Sequence, residues 1–580
     1  MKKFGQTKEE IQWMIEIRQA LKWRAKYSFE HRWRDIDRYF RHDFENLNQP
    51  HFNLIYMLGN SLIPALVYQT PGIINTPRKP NMSYWASFFD AVDNWWLDHA
   101  EMKSIAEEAA LTSFLYNTCA FQIGYDFSTE QQMLNTKTKE IFEDIPNVVD
   151  RSRKTNLPWV DFIYPQRFLV AKGTRMMKNC RWAGKFVAVP TKVLKQIPGL
   201  RNVEITHMPE EVLRHEHDIW DSVDQDALGR GFTCLWEIHD AESKKWFWIN
   251  TNGHYVLPPQ EDPLQVMGLP FEVISFNKAS GSIWATPDSI YVESQQLEGD
   301  ETRRVGRLQR KLANVKFICD SAIMTQDEIN EVLEDDPGGL SVDVPRDKKL
   351  ADAVLTLQSN VQLQYLEYQK ALLYDAQLIS GIGSNQVGQY ASGRRTKYEA
   401  QVVEGTNQLR TALRRDKLAN AIEGMVTRAN ILITKYWQQD MVQQVVGADG
   451  ALYWVKARPE EFEYSRENLV TKVNVDSMAP TSRDRKKAEA SELLKLLASM
   501  QQAGANPLPI LQQLLSTFEW LDVRQVLPQM NQEMSMGDFA NQQQQLIAGG
   551  GLGQTLTGNL NGLNNLIQRL PQETEGEANA

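Results

Sequence analysis

The side chains in this sequence best suited to charge chemistry are arginines, and they come in three clusters. Arg303, Arg304, Arg307, Arg310 and Lys311 recur at spacings that put them largely on one side of a helix. Arg410, Arg414 and Arg415 do the same further on. Arg394 and Arg395 close the stretch GIGSNQVGQYASGRRTKYEAQ, residues 381 to 401, after a run of glycines and small polar side chains. Such cations can face water, pair with acids on another helix, or meet phosphates or the acidic face of a neighbouring subunit.

Catalytic constellations are missing. No G-x-x-x-x-G-K-[ST] occurs: the Gly184-Lys185 pair runs on into Phe186 and lacks the upstream glycine. Neither HExxH nor GxSxG is present. His215 and His217 in RHEHD would share a face of a strand, but no cysteine or acid stands at ligand spacing to complete a metal site. Acid pairs such as Asp335-Asp336 are expected as surface charge in a chain with 73 carboxylates. The sequence reads as a non-enzyme with no cofactor and no bound metal.

Composition narrows the class. At 580 residues the chain is long enough for several domains, and 42% hydrophobic with 23% charged residues describes an ordinary globular composition. Sixteen tryptophans call for large cores or subunit interfaces. A net charge of −10 argues against tight wrapping on nucleic acid while leaving room for local basic contacts. Cys119, Cys180, Cys234 and Cys319 form no CxxC pair and read as reduced, buried thiols. The N-terminus turns acidic and polar too soon for a signal peptide, and no run reaches the ~20 apolar residues of a membrane span. The expectation is a cytoplasmic-type protein.

These residues need elements to position them. Thr7 to Glu10 forms a capping box ahead of a helical stretch that continues to about residue 40. The stretch NLIYMLGNSLIPALVYQTPGIINTP predicts a helix interrupted at Pro64, then an extended exit. Residues 83 to 118 read as helix and FQIGYDF as a strand. From 157 to 280, β-branched and aromatic runs broken by turn residues predict a β-rich region, with a hairpin at Asn252-Gly253 and a helical insertion near 191 to 198. Helix resumes at Pro287. A compact stretch covers 315 to 350, and helical spacing returns at Tyr365, Tyr368, Leu372, Ala376 and Ile379. Thr396 to Glu399 is a second capping box. It opens a long helix in which Leu418, Ile422, Met425, Ala429, Leu432 and Tyr436 step by 4, 3, 4, 3 and 4, with no break before Gly447. A β-like segment over 452 to 475 and helices from 481 to 526 follow. From about 531 the Gln-, Asn- and Gly-rich composition predicts flexibility, although Leu552, Leu556, Leu560, Leu563, Ile567 and Leu570 keep a helical repeat.

This order of parts resembles the portal proteins of tailed bacteriophages, over roughly residues 30 to 530. NLIYMLGNSLIPALVYQTPGIINTPRKP looks like the family's early segment. WVDFIYPQRFLVAKGTRMMKNCRWAGKFVAVP is similar to its region of a strand, P-x-x-F and a tryptophan-bearing strand. GSNQVGQYASGRRTKYEAQ looks like the glycine-rich stretch that leads to the T-x-x-E opening the long helix. The resemblance implies an α+β, mainly helical portal fold with wing, stem, clip and crown regions, assembled as a ring of about twelve subunits. It assigns residues 1 to 286 to the wing, 287 to 313 and 359 to 380 to the two stem helices, and 314 to 358 to the clip. Residues 381 to 395 become the tunnel loop and 396 to 480 the long wing helix with its following β segment. Residues 481 to 530 become the crown, and 531 to 580 a flexible or barrel-like C-terminal tail, as in portals of some short-tailed phages.

The implied partners are other copies of the chain, the terminase large subunit, head-completion and tail adaptor proteins, scaffold and major capsid protein, and double-stranded DNA in the channel. The implied setting is the capsid vertex, reached from the host cytoplasm. Gln389, Arg394, Arg395 and Lys397 become candidate DNA contacts, and Arg303, Arg304, Arg307, Arg310 and Lys311 candidate channel or subunit-interface residues, with inter-subunit ion pairs ranked first. Small flexible residues and a few cations suit a loop that must touch a moving duplex without holding it, because every phosphate contact adds affinity. The rival readings are a ring or tail-adaptor protein with no DNA-translocating channel, and a DNA-processing enzyme. The missing P-loop and missing carboxylate-lysine cluster count against the enzyme.

Overall fold

A computed structural model describes residues 6–44, 50–79, 82–125, 157–207, 231–264, 266–313, 316–319, 354–357, 364–382, 397–436, 441–446, 452–458, 461, 469–478 and 529–548. Helix makes up about 51% of these residues and strand 24%.

The N-terminal helix α1 (Lys8–Ser28) starts where the capping box places it. Thr7 Oγ1 accepts from the Glu10 amide at 3.2 Å, and the Thr7 amide donates to Glu10 Oε2 at 2.7 Å. The helical run breaks at Phe29, whose φ of 54° ends α1, and resumes as α2 (Trp33–Arg41). Arg24 on α1 is fully buried. Its guanidinium binds Glu30 through two nitrogens and donates to the carbonyls of Pro165, Gln166 and Phe168 at 2.8–3.1 Å, a set that satisfies the charge with fixed oxygens.

Helix α3 (Leu54–Leu66) continues past Pro64 instead of stopping there. Proline has no N–H to give the carbonyl four residues back, and the helix ends two residues later, so the interruption expected from sequence becomes a last turn. Strand β1 (Gly72–Pro77), α4 (Ser83–His99), α5 (Met102–Tyr116) and β2 (Thr118–Tyr125) follow. The β-rich region forms two sheets. Strands β3 (Pro158–Ile163) and β9 (Phe271–Ser275) flank β2 in an antiparallel trio. Strands β4 (Phe168–Val170), β5 (Trp182–Pro190), β6 (Phe232–Asp240), β7 (Lys245–Asn250) and β8 (Tyr255–Glu261) form a meander in that spatial order, with the short α6 (Thr191–Leu194) after β5. The Asn252-Gly253 turn joins β7 to β8. Gly253 has φ 88°, and a Cβ there would lie 2.5 Å from Gln6 Nε2, so glycine serves both the turn and the approach of the N-terminus.

Helix α7 (Asp288–Ala313) begins one residue after Pro287. Beyond it, β10 (Lys316–Cys319) and β11 (Val354–Leu357) pair antiparallel, and α8 (Gln364–Ser380) runs back along α7. Helix α9 (Lys397–Tyr436) spans 40 residues, and its apolar repeat at Leu418, Ile422, Met425, Ala429 and Leu432 is buried throughout. It ends at Tyr436, not at Gly447. Met441–Val446 is strand β12, paired antiparallel with β13 (Leu452–Ala457). The stretch MVQQVV has the β-branched content for this, and pairing with β13 outweighs continued helix.

Strand β14 (Leu469–Asn474) pairs antiparallel with β1, far away in sequence. The tail needs a second correction. Gln529–Ser535 is β15, parallel to β13, and α10 (Met536–Ala548) packs back on it. Phe539 is buried against Tyr84 and Tyr453, and with Met536 it anchors this stretch in a core that also holds Phe88 and Ile433. One aromatic anchor and a β ladder outweigh a polar composition that by itself predicts flexibility. The expected helices of 481 to 526 and the leucine repeat from 552 lie outside the described residues.

Three cores result. The largest joins α2, α3, α5 and α9 with β2; the second lies between α1 and the five-stranded sheet; the third joins α4 to β12, β13, β15 and α10. Cys119, Cys180 and Cys234 are buried thiols outside any disulfide, and burial pushes the Cys119 thiol up to about 12. Among the described residues no helix is long and apolar enough to cross a membrane.

Candidate functional site

The paired helices α7 and α8 carry most of the features that a binding surface needs. Their common root is built from charge. Asp288, at the start of α7, accepts from Asn277 Nδ2 at 2.8 Å and from Arg414 Nη2 at 2.6 Å. The same Arg414 nitrogen donates to the carbonyl of Ser380, the last residue of α8, at 2.8 Å. Arg410 donates to the carbonyls of Leu378 and Ile379 at 2.8 and 3.3 Å. Gly381 closes the helix with φ 69° and donates to Gln377, and a Cβ there would lie 2.3 Å from Arg410 Cδ. The orphan carbonyls of α8 are therefore capped by arginines of α9. Arg415 donates to the carbonyl of Ala65 at 2.5 Å, at the end of α3. Of the outlets open to Arg410, Arg414 and Arg415, the structure realises contacts inside the chain: two carbonyl caps and a buried ion pair.

Higher on α7, one face receives the chain that precedes α3. Gln296 Oε1 accepts from the Leu54 and Ile55 amides at 2.7 and 3.3 Å, and so supplies the N-terminal cap that Asn53 does not make. Asp300 Oδ1 accepts from the Phe52 amide at 2.5 Å. The Phe52 ring sits where a Cβ of Gly299 would be, 2.2 Å from its nearest carbon, so only glycine admits it. Arg303 is spent here. It donates to the His51 carbonyl at 2.5 Å and lies 5.0 Å from the Phe52 ring, and burial lowers its basicity.

The other predicted basic residues point elsewhere. Arg304 is exposed and pairs with Glu301 at 3.3 Å, a contact worth little in water. Arg307 is half-buried and Arg310 exposed further along α7, both with interactions to other groups, and the side chain of Lys311 lies outside the described residues. Gln389, Arg394 and Arg395 lie outside them too, as does the capping box at Thr396. Lys397 is the first residue of α9 with its side chain not described. The loop is therefore fixed at its two ends, Ile382 and Lys397.

Between these charges the pair exposes apolar side chains. Tyr291, Leu297, Val305 and Leu308 on α7 are joined by Tyr368, Tyr374, Leu378 and Ile379 on α8, with Leu308 and Leu378 each 55% exposed. Tyr368 donates to Glu298 across the two helices. Exposed apolar residues at this density are what a candidate interaction surface offers. At the far end the β10–β11 ladder, Lys316 opposite Leu357, makes residues 320 to 353 leave and return at one point.

Sequence reasoning missed two buried charge clusters. His239 lies between Asp262 at 2.7 Å and Glu237 at 3.2 Å, with Lys185 beside Asp161 at 3.3 Å. Burial opposes each ion, yet hydrogen bonds to both acids raise His239 to about 9, and Lys185 with His239 lowers Glu237 to about 2. On α4, burial raises Asp93 to about 7, against hydrogen bonds from Asn75 and Asn430. The signal was available: two acids three apart inside WASFFDAVDNWW, an otherwise apolar helix. Among the described residues no group of three or more His, Cys, Asp or Glu could hold a metal ion, and the His215–His217 pair lies outside them. No family model matches the chain, and no curated protein matches it.

Proposed function

We propose that this chain is the subunit of a portal ring of a tailed bacteriophage, through which double-stranded DNA enters and leaves the capsid at one vertex. The observation that carries the reading is the antiparallel pair α7–α8. Exposed apolar residues run along it, Arg414 roots it to the long α9, and the β10–β11 ladder closes it. In this reading the pair is the stem and neighbouring copies cover its apolar side chains, because repeated head-to-tail contact closes into a ring. Residues 314 to 358 form the clip that meets the terminase motor and later the head-completion and tail adaptor proteins. The loop between α8 and α9 brings Arg394 and Arg395 to the duplex. A net charge of −10 per subunit keeps DNA from adhering to the walls, while two guanidiniums per subunit supply weak, salt-sensitive guidance.

Two experiments test this. Each subunit weighs 66.6 kDa. Mass measurement at micromolar concentration is expected to show about twelve copies, roughly 0.8 MDa, and electron microscopy a central hole wide enough for a duplex. The double change Leu308→Glu with Leu378→Glu places charge on the covered stripe and is expected to leave folded monomers; normal rings from that variant would remove the stem from the interface. The second change, Arg394→Ala with Arg395→Ala, is expected to leave ring yield unchanged while DNA packaging falls and loses part of its salt dependence. Loss of rings before any packaging defect would assign these arginines to assembly, and normal packaging at every salt concentration would remove them from both roles.

A further inference from the structure

We propose that the outer face of α1 docks an acidic amphipathic helix of a partner protein. Ile11, Ile15, Arg18, Lys22, Ala25 and Phe29, the residue that ends α1, follow one another at steps of 4, 3, 4, 3 and 4. That is the repeat of a seam along which a second helix packs, and at 1.5 Å of rise per residue it runs for about 27 Å. The seam lies at the surface. Ile11 is half-buried, Arg18, Lys22 and Ala25 are exposed, and Ile15 and Phe29 are 44% and 40% exposed. The helix is held in place by its other side, where Ile17, Ala20, Leu21 and Trp23 are buried in the core against the five-stranded sheet. A helix anchored in this way normally turns a plain polar face to water, whereas α1 carries a second helical repeat there.

The charges of α1 are sorted between the two sides. Glu10 accepts from the Thr7 and Tyr255 amides at 2.7 and 2.8 Å, and Glu16 accepts from Trp182 Nε1 at 2.8 Å and pairs with Arg181. Glu9, by its spacing, falls outside the seam. Arg18, Lys22 and Lys26 step by four along the seam side, and among the described residues none of them has an ion-pair partner. Neighbouring arginines do: Arg24 pairs with Glu30, Arg32 with Glu293 and Arg41 with Asp37. The outer face of α1 is thus a strip of positive charge without an acid, on a chain whose net charge is −10.

Cations in the middle of a helix seam select a partner of opposite sign, because an apolar partner would leave them desolvated and unpaired. The occupant therefore presents Asp or Glu to Arg18 and Lys22, and apolar side chains to Ile15 and Phe29. Duplex DNA suits the face less well, since phosphates answer the cations and give the apolar ends nothing to pack on. A bilayer also suits it less well, since the apolar stripe of α1 is already in the core and little is left to insert. The seam involves none of the α7–α8 residues and stands whether or not copies of the chain close into a ring.

Fluorescence anisotropy on the full-length protein tests this, with a labelled three-heptad peptide that alternates leucine and glutamate along its seam and a scrambled peptide of the same composition. The patterned peptide is expected to bind saturably, at least tenfold more tightly than the scrambled one, and more weakly as salt rises. Lys22→Glu is expected to weaken it at least tenfold and Ile15→Ser to weaken it as well, with the circular dichroism and oligomeric mass of the parent. No saturable binding of the patterned peptide, equal binding of the two peptides, or no effect of Lys22→Glu would overturn the seam. Tighter binding of a DNA duplex or of phosphatidylglycerol vesicles, lost in Lys22→Glu, would give the face to nucleic acid or membrane and overturn the helical partner. A lower oligomeric mass in Lys22→Glu would make the occupant a second copy of this chain and overturn it too.

Discussion

Arg414→Met is expected to destabilise the chain by about 3–5 kcal/mol, the usual result of removing one partner from a buried ion pair. Arg414 and Asp288 are both more than nine-tenths buried, and their 2.6 Å contact ties the start of α7 to the middle of α9. The methionine would leave the Asp288 carboxylate with the Asn277 side-chain amide, and would free the Ser380 carbonyl at the end of α8. Three helices meet at this one guanidinium, so the damage should be local before it is global. Hydrogen exchange is expected to speed up in α7 and α8 while α1 and the five-stranded sheet stay protected. Adding Asp288→Asn to Arg414→Met removes the stranded charge and should recover a substantial part of the loss, which a double-mutant cycle by urea unfolding measures. A loss below about 1 kcal/mol, or no recovery in the double variant, would mean that the pair is not what joins the helices. In the portal reading this contact carries force between stem and wing.

The second large effect is one of pH. Asp93 is raised to about 7 by burial, and Asp90, partly exposed, is raised in the same direction by burial and by Asp93. The folded state therefore holds protons that the unfolded chain, with an ordinary carboxyl near 3.8, gives up. The contribution is complete at acid pH below the unfolded value, and it is lost as pH rises towards about 7. Stability should fall over pH 4 to 7 with a slope on the order of 1 kcal/mol per unit, and Asp93→Asn, which resembles the protonated acid, should flatten it. The His239 cluster does not confuse the result. His239 is raised from 6.5 to about 9, so its contribution is whole below 6.5 and disappears through 9. Glu237 is lowered from 4.5 to about 2, so its contribution is whole above 4.5 and fails as pH drops through 2. Asp90, raised to about 8, contributes over the same window, so Asp93's share is the part of the slope that Asp93→Asn removes in chemical denaturation at pH 5, 6 and 7. An unchanged slope in Asp93→Asn would show that this carboxyl is ionised in the folded chain.

Much of the fold was legible because its signals are local. The capping box at Thr7 and Glu10 satisfies two amides within four residues, so it needs no tertiary partner and appears as expected. The apolar repeat of α9, the Asn252-Gly253 turn and the aromatic strands of the meander are of the same kind. Pairing was not legible. Thr471 on β14 donates to Asn75 on β1 at 2.7 Å across 396 residues, and both segments read only as extended. Their periodicity gives a face and no partner.

The same division explains the charges. Helical spacing grouped Arg303 with Arg304, and Arg414 with Arg410, but spacing records a side of a helix and not what packs against it. Arg303 is taken by the His51 carbonyl and the Phe52 ring, and Arg414 by Asp288. Arg304, one residue along, stays at the surface. The tail shows the reverse error: its glutamines predicted flexibility, and a buried Phe539 with a parallel ladder gives Gln529 to Ala548 a strand and a helix anchored in a core. Local chemistry along the chain determined where helices start, where hairpins turn and which faces are apolar. Which charge is buried, which strand is paired and which apolar face is left for another molecule depended on segments hundreds of residues apart meeting, and only the tertiary structure decided that.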